Sequence, residues 1–354
     1  MHRHLAFFVA ALVLLAAEQF PQSSRLTAWA GKPASDPSAG PGKSPSAPAS
    51  LSGPASPSSA AAPSGPVGSG AGPAAQPKRL TIVAVYAHPD DGEFFAGGTL
   101  AKWAAAGHRV VAICATDGAL GAMRGDSDPK QVAARRGREL AAALSALGAE
   151  PPVLLGFPDG FLRDHQKALR ERLIYHFRRL RADRVLTFDP WKRYEIHPDH
   201  IEAGRMAAEA AVFSGFPLLH REHLTAEITP VQPSEVWFMG PLEHRPNRIV
   251  DVQATLDKKI AATLSHGSQI EMLANWFVPG ANPRSLTDAQ RGQLQGGARK
   301  FLEQMGRGIA QPFPGKVQIA EAFFVQRTGP GHFDNYPQLF SEMMGAPAEA
   351  PVFE

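Results

Sequence analysis

The sequence predicts an α/β fold, a mostly parallel sheet flanked by helices, and three observations carry that reading. From about Arg79 onward, short β-rich runs alternate with longer helical patterns, as parallel strands joined by crossover helices do. Two clusters of hard metal ligands, His88-Pro89-Asp90-Asp91 and His197-Pro198-Asp199-His200, each follow a strand-like apolar run. That placement puts both at the carboxyl edge of the sheet, where open α/β folds carry their chemistry.

Residues 1–30 read as an export signal: basic character from Met1 to His4, an apolar run from Leu5 to Ala17, and Ala28-Trp29-Ala30 as a small-x-small cleavage site. An uncleaved signal anchor is the alternative, although the apolar run is short for a membrane span. Residues 31–78 are almost entirely Pro, Ser, Ala and Gly. Such a stretch buries too little apolar area to offset the entropy of ordering, so a flexible tether is expected. The folded body is expected over residues 79–328, with 329–354 as a C-terminal tail.

Within the body, strands are expected at Leu80 to Ala87, Arg109 to Thr116, Pro152 to Gly156 and Arg184 to Asp189. Helices are expected near Ala96 to Ala106, Gln131 to Leu147, Asp164 to Arg181 and Asp199 to Phe213. In the third of these, Leu169, Leu173, Phe177 and Leu180 recur at helical spacing while Arg170, Arg172, Arg178 and Arg179 fill the other faces, the pattern of a helix lying on a sheet. Further strands at Glu235 to Met239 and Ala320 to Gln326 bracket helical segments from Ala254 to Leu273 and Asp288 to Met305. The region after Ser268 is expected to form a lid or rim over the site.

Composition excludes several classes of function. The net charge is only +3, and the basic residues spread along helical segments such as Arg170 to Arg184, so solvated helix faces are expected and no nucleic-acid partner. The single cysteine, Cys114, sits in an apolar run and reads as a buried, inert thiol. No intrachain disulfide can form, and a body of roughly 250 residues is large enough to rely on its hydrophobic core. Gly97-Gly98-Thr99 allows close packing at a helix start but lacks the G-x-G-x-x-G pattern, which disfavours dinucleotide binding.

Histidine nitrogen and carboxylate oxygen suit zinc, and a catalytic zinc uses three protein ligands while keeping a position for water. The prolines hold His88 and His197 extended, so each continues its strand direction into the pocket. Adjacent Asp90 and Asp91 point to different sides, so one is expected as a ligand and the other as a free carboxylate able to act as general base. Fe2+ is the second candidate metal, since two histidines and one carboxylate also make the facial triad of non-haem iron oxygenases. The α/β pattern and the additional aspartates favour hydrolysis.

These motifs resemble those of the PIG-L or LmbE-like N-acetylglucosaminyl deacetylases. The resemblance runs from Leu80 to Gln269 and rests on Ala87-His88-Pro89-Asp90-Asp91 with Glu93, Gly97-Gly98-Thr99, Arg136-Gly137-Arg138-Glu139-Leu140, Pro158-Asp159-Gly160 and His197-Pro198-Asp199-His200. Asp251 with Lys259, and His266-Gly267-Ser268-Gln269, are weaker matches. The resemblance implies a Rossmann-like sheet with zinc held by His88, Asp91 and His200. It makes Asp90 the general base, His197 the group that assists the developing oxyanion, and Asp199 the residue that orients His197. Arg136 and Asp159 are implied to hold sugar hydroxyls or attached groups. Arg124, in the loop after the second strand, is a further substrate candidate. Tyr194 is a candidate gate, although the family's tyrosine falls one residue later, where this chain has Glu195. Gly92 precedes Glu93, where part of the family has glutamate directly after the second aspartate.

The expected function is a zinc-dependent hydrolase that removes the N-acetyl group from an N-acetylglucosamine-containing glycan or glycolipid. The alternatives are an amidase on a larger amide, such as a glycothiol conjugate, and a non-catalytic metal-containing carbohydrate-binding protein. An exported location is expected, with membrane contact only through an uncleaved signal anchor. His108, His165, His176, His220, His223, His244 and His332 are expected as surface or packing residues, and Trp276 and Phe277 as core.

Overall fold

The computed structural model describes residues 78–122, 127–192, 195–240, 246–274, 278–282, 285–328 and 351–354. The expected signal, the expected tether up to residue 77, Arg124, Tyr194, His244, Trp276, Phe277 and His332 lie outside them.

Five strands, β1 (Thr81–Tyr86), β2 (Arg109–Thr116), β3 (Val153–Phe157), β4 (Arg184–Phe188) and β5 (Glu235–Met239), run parallel in the order β3-β2-β1-β4-β5. Beyond β5 the sheet continues through β7 (Ala320–Arg327) and β6 (Arg248–Asp251), both in antiparallel pairings, to β8 (Val352–Phe353). After its first residue, β1, β2, β4 and β5 are each buried throughout. Strands covered on both faces have no solvent side, so their sequences read as continuous apolar runs and not as alternation. β3, at the sheet edge, alternates and leaves Leu154 exposed.

The crossovers are α1 (Asp91–Ala105), α2 (Pro129–Leu147), α3 (Gln166–Leu180) and α4 (Pro198–Phe213). From β1 the chain winds outward through β2 to β3, and α3 then returns it to β4 on the other side of β1. The strand order therefore reverses between β1 and β4, and a crevice opens outside their carboxyl ends. The later helices are α5 (Leu256–Ser265), α6 (Gly267–Met272) and α7 (Asp288–Ala310), the last packing on β7 and α5. Among the described residues no helix is long and apolar enough to cross a membrane.

Several elements differ from expectation. α1 begins at Asp91 and not at Ala96, because Asp90, at φ 132° and ψ −23°, turns the chain within one residue. Gly97 and Gly98 consequently lie inside α1, where a Cβ on Gly98 would stand 2.6 Å from Cβ of Val252. The expected helix from Ala254 to Leu273 is divided at His266, whose ring turns inward to Glu93 and whose ψ of 58° leaves the helical region. β6 and β8 are too short for periodicity to register, and β8 falls in the segment read as a tail. Arg178 is fully buried and not on a solvated face. Its guanidinium donates to the carbonyls of Ser214, Phe216, Leu219 and His220, which fixes the turn after α4.

A buried ion pair joins the late helices to the early ones. Lys259 Nζ lies 2.6 Å from Oε1 of Glu321, whose two carboxylate oxygens also accept from the backbone N–H groups of Gly98 and Thr99 at 3.0 and 2.8 Å. Cys114 is buried, and burial pushes its thiol well above the ordinary range, consistent with an inert side chain.

His176 on α3 gives the fold a testable acid dependence. Burial, with the charges of Arg179 and Arg172, lowers its pKa to about 4, against an ordinary value of 6.5. Above pH 6.5 the ring is neutral in both states and its contribution to stability is fully present. As pH falls from 6.5 towards 4, the unfolded chain takes up a proton that the folded chain refuses, and stability is lost. His176→Gln is predicted to reduce the drop in the urea midpoint between pH 7 and pH 5; an unchanged drop would contradict this.

Candidate metal centre

The loops after β1 and β4 face one another across the crevice. In the first, Asp90 has a backbone conformation rarely adopted by a residue with a Cβ, and such strain persists only where surrounding contacts hold it. Gly92 follows because the Tyr86 ring packs against the first turn of α1 and would overlap any Cβ there. That close approach accounts for Gly92 standing between Asp91 and Glu93. In the second loop His197 is extended before Pro198 and caps α4: its Nδ1 accepts from the backbone N–H of Asp199 at 3.3 Å. With Nδ1 accepting, the neutral ring carries its proton on Nε2.

His88 is the hub. Its Nε2 lies 3.2 Å from Oδ1 of Asp159 and 3.2 Å from Oδ2 of Asp199, while its Nδ1 lies 3.6 Å from Oδ2 of Asp91. Oδ2 of Asp91 also accepts from the backbone N–H of His88 at 2.6 Å, and Oδ1 lies 3.5 Å from Nε2 of His200. His200 turns its other nitrogen, Nδ1, to Oε1 of Glu195 at 3.6 Å and stacks on Phe188 with centroids 4.1 Å apart. The rings of His197 and His200 stack at 4.5 Å, and His88 meets both edge-on. Two sets of donor atoms converge to within 4.8 Å of one another: His88, His197 and His200; and His88, Asp159 and Asp199.

The electrostatics follow from this crowding. Burial would lower the pKa of His88, but its bonds to Asp159, Asp199 and Asp91 overcome that and raise it well above the ordinary value. Burial would raise Asp91, yet His200 and His88 hold it well below the usual carboxylate range. Glu195 is likewise drawn down to about 2, His200 and Lys192 outweighing its burial. His197 falls to about 4, through burial and the neighbouring His88 and His200. Asp90 moves the other way: burial and the Asp91 charge raise it, against the opposing charge of Arg136.

The donor set fits a divalent ion. Asp91 places one oxygen towards each of His88 and His200, and the opposite nitrogen of each ring is directed at a carboxylate. A carboxylate behind a histidine is how metal-bound imidazoles are oriented and made more basic. Bonds of 2.0–2.2 Å at a tetrahedral ion separate its ligands by about 3.3 Å, and Asp91 stands 3.6 Å from His88 through Oδ2 and 3.5 Å from His200 through Oδ1.

The expected site residues divide into three groups. His88, Asp90, Asp91, His197, Asp199 and His200 are brought together at the crevice. Asp199 among these, and two residues beside them, have partners different from those expected. Asp199 directs its carboxylate to His88 and to the backbone N–H groups of Gly160 and Leu162 at 2.6 and 3.0 Å, not to the ring of His197. Asp159 is buried behind His88, where it also accepts from the backbone N–H of Leu120 at 3.0 Å, so its carboxylate faces the His88 ring where a sugar contact was expected. Arg136 is buried as well: it donates to the carbonyls of Gly118 and Pro89 at 3.0 and 2.8 Å and pairs with Asp90 at 3.2 Å, holding the first loop in place. Arg124 and Tyr194 lie outside the described residues. Glu195 was missed as a functional residue, and its signal was the departure itself, an acidic residue where the family carries tyrosine.

The chain is similar to several known proteins. A family model described as PIG-L, GlcNAc-PI de-N-acetylase, matches residues 83–211. The diacetylchitobiose deacetylase of Thermococcus kodakarensis is 34% identical over 188 residues, covering 53% of this chain and 69% of that protein. The 1D-myo-inositol 2-acetamido-2-deoxy-alpha-D-glucopyranoside deacetylase of Rhodococcus opacus is 34% identical over 238 residues, covering 53% of this chain and 81% of that protein. Among solved structures, the inhibitor complex of N,N'-diacetylchitobiose deacetylase from Pyrococcus horikoshii is similar with a TM-score of 0.55 at 27% identity, covering 72% of this chain and 85% of that one.

Glu195 provides the test of this geometry. Glu195→Gln keeps the shape but removes the charge behind His200, and is predicted to weaken zinc binding by about 10- to 100-fold in competition with a chromogenic chelator. An unchanged affinity would mean that Glu195 does not support the ligand.

Proposed function

The chain belongs to the PIG-L family of GlcNAc-PI de-N-acetylases, and from that premise we propose that it is an exported, zinc-dependent N-deacetylase acting on an N-acetylglucosamine-containing glycan or glycolipid. The observation that carries the reading is Asp90: a carboxylate with a raised pKa, 30% exposed at its side chain, held by Arg136 beside the Asp91 and His88 pair. A protein that only bound sugar would have no use for a strained, proton-accepting carboxylate at that point.

His88, Asp91 and His200 would hold the zinc, which supplies Lewis-acid charge to the acetamide oxygen and to the attacking water. Asp90 accepts a proton from that water at a carboxylate oxygen as the new C–O bond forms. The neutral ring of His197 offers its Nε2–H to the developing oxyanion, its Nδ1 being occupied by the Asp199 N–H. When the C–N bond breaks, Asp90 returns its proton to the departing nitrogen, and the products are a free amine and acetic acid, which ionises to acetate. Around the same sheet edge, the loops after β2, β3 and β4 expose Leu120, Phe161, Trp191 and Ile196. Such an apolar rim suits the faces of sugar rings or the apolar part of a glycolipid. Export rests on residues 1–30, whose basic start, apolar run and small-x-small site have the form of a signal.

Acetate release by the zinc-loaded protein, measured against N-acetylglucosamine monosaccharides, oligosaccharides and glycolipids, tests the activity. Asp90→Asn is predicted to lower kcat by about 10²- to 10⁴-fold while retaining zinc. Release that persists in this variant would remove Asp90 from the mechanism. No release from any panel member by stoichiometrically loaded protein would favour the larger-amide or binding alternatives.

A further inference from the structure

A second cluster of metal-ligating side chains stands away from the crevice. Glu171 lies on α3, and His220, Glu222 and His223 lie in and beside the 3₁₀ turn Arg221–His223 that follows α4. One donor atom from each of the four falls within 4.8 Å of the others. Nδ1 of His220 is 3.0 Å from Oε1 of Glu222, and Nε2 of His223 is 3.5 Å from Oε1 of Glu171. Those separations bracket the spacing of about 3.3 Å expected between ligands of a tetrahedral ion with bonds of 2.0–2.2 Å.

The surrounding structure holds these groups in place. His220 takes a left-handed conformation at φ 52° and ψ 55°, uncommon for a residue with a side chain. Its backbone is fixed from beneath by Arg178, which gathers four carbonyls of the 214–220 turn. The rings of His220 and His223 lie nearly parallel, 14° apart with centroids separated by 5.1 Å, and the edge of Tyr175 orients the His223 ring. Three side chains from one turn and one from a neighbouring helix thus converge on a point that two carboxylates leave negatively charged. The sequence treated both histidines as ordinary surface or packing residues, and nothing in the deacetylase site uses them.

We propose that Glu171, His220, Glu222 and His223 form a second divalent-cation site, which takes zinc and clips the turn after α4 to α3. Two neutral imidazoles and two carboxylates suit zinc by donor type and leave no net charge once the ion is bound. The site is separate from the deacetylase centre. His200 sits in the first turn of α4 and His220 beyond its last, and a helix of 16 residues is about 24 Å long. The role is structural: with one cysteine the chain can form no intrachain disulfide, and a metal cross-link adds its binding free energy to that of the fold.

The test is zinc stoichiometry of the full chain by elemental analysis after equilibrium dialysis. The wild type is expected to hold two equivalents and the double variant His220→Ala, His223→Ala to hold one. In a His200→Ala background, which disables the first site, the single remaining equivalent and the zinc-dependent rise in Tm should both disappear when His220 and His223 are replaced. Should the alanine variant fail to fold, Glu171→Gln with Glu222→Gln retains both rings and is expected to lose the same equivalent. Stoichiometry that neither pair of substitutions changes, whether one equivalent or two, would overturn the proposal.

Discussion

The site depends on the ring of His88, held at Nε2 by two buried carboxylates. Asp159 comes from the loop after β3, Asp199 from the first turn of α4, and His88 from the loop after β1, so one imidazole ties together three segments at the sheet's point of reversal. Burying two carboxylates is costly unless each is bonded. Here the backbone N–H groups of Leu120, Gly160 and Leu162 complete the arrangement. With Nε2 so engaged, Nδ1 is the nitrogen left for the pocket, on the side of Asp91. His200 repeats the arrangement with Glu195 behind it.

A second constraint follows from the first. Because Asp91 must begin α1 to reach both rings, the chain has a single residue in which to turn, and Asp90 absorbs a backbone conformation that costs about 1–3 kcal/mol. Arg136 offsets that cost by binding the carbonyl of Pro89 and the carboxylate of Asp90 together. The strain and the ion pair thus meet at the same residue, where two carboxylates occupy adjacent positions, and burial together with the Asp91 charge raises the pKa of Asp90 against the pull of Arg136. Motion of α2, which carries Arg136, would be felt directly at Asp90.

The parts legible in the sequence were those with local signatures. The buried parallel strands announced themselves as apolar runs, and β2 and β5 have the expected limits. The paired His-Pro-Asp clusters marked the crevice because proline and the strand ends fix their direction. What was not legible depends on distant partners. Nothing within Pro158-Asp159-Gly160 says that its carboxylate lies behind His88, and nothing around Arg136 says that its charge is spent on a loop 47 residues earlier. The division of the helix at His266 likewise depends on Glu93, 173 residues away. Strands of four and two residues, such as β6 and β8, exist only because β7 and β6 present edges to them. Glu195 was readable in principle, as an acidic side chain two residues before a motif histidine.

We propose that His88 holds the metal through Nδ1 while Nε2–H is shared by Asp159 and Asp199. Long-range ¹H–¹⁵N correlation spectra of the zinc-loaded protein, with histidines labelled and His88 assigned by comparison with His88→Gln, distinguish the two ring nitrogens. A protonated Nε2 and a metal-shifted Nδ1 are predicted. A metal-shifted Nε2 would place the ion among His88, Asp159 and Asp199 and overturn this assignment.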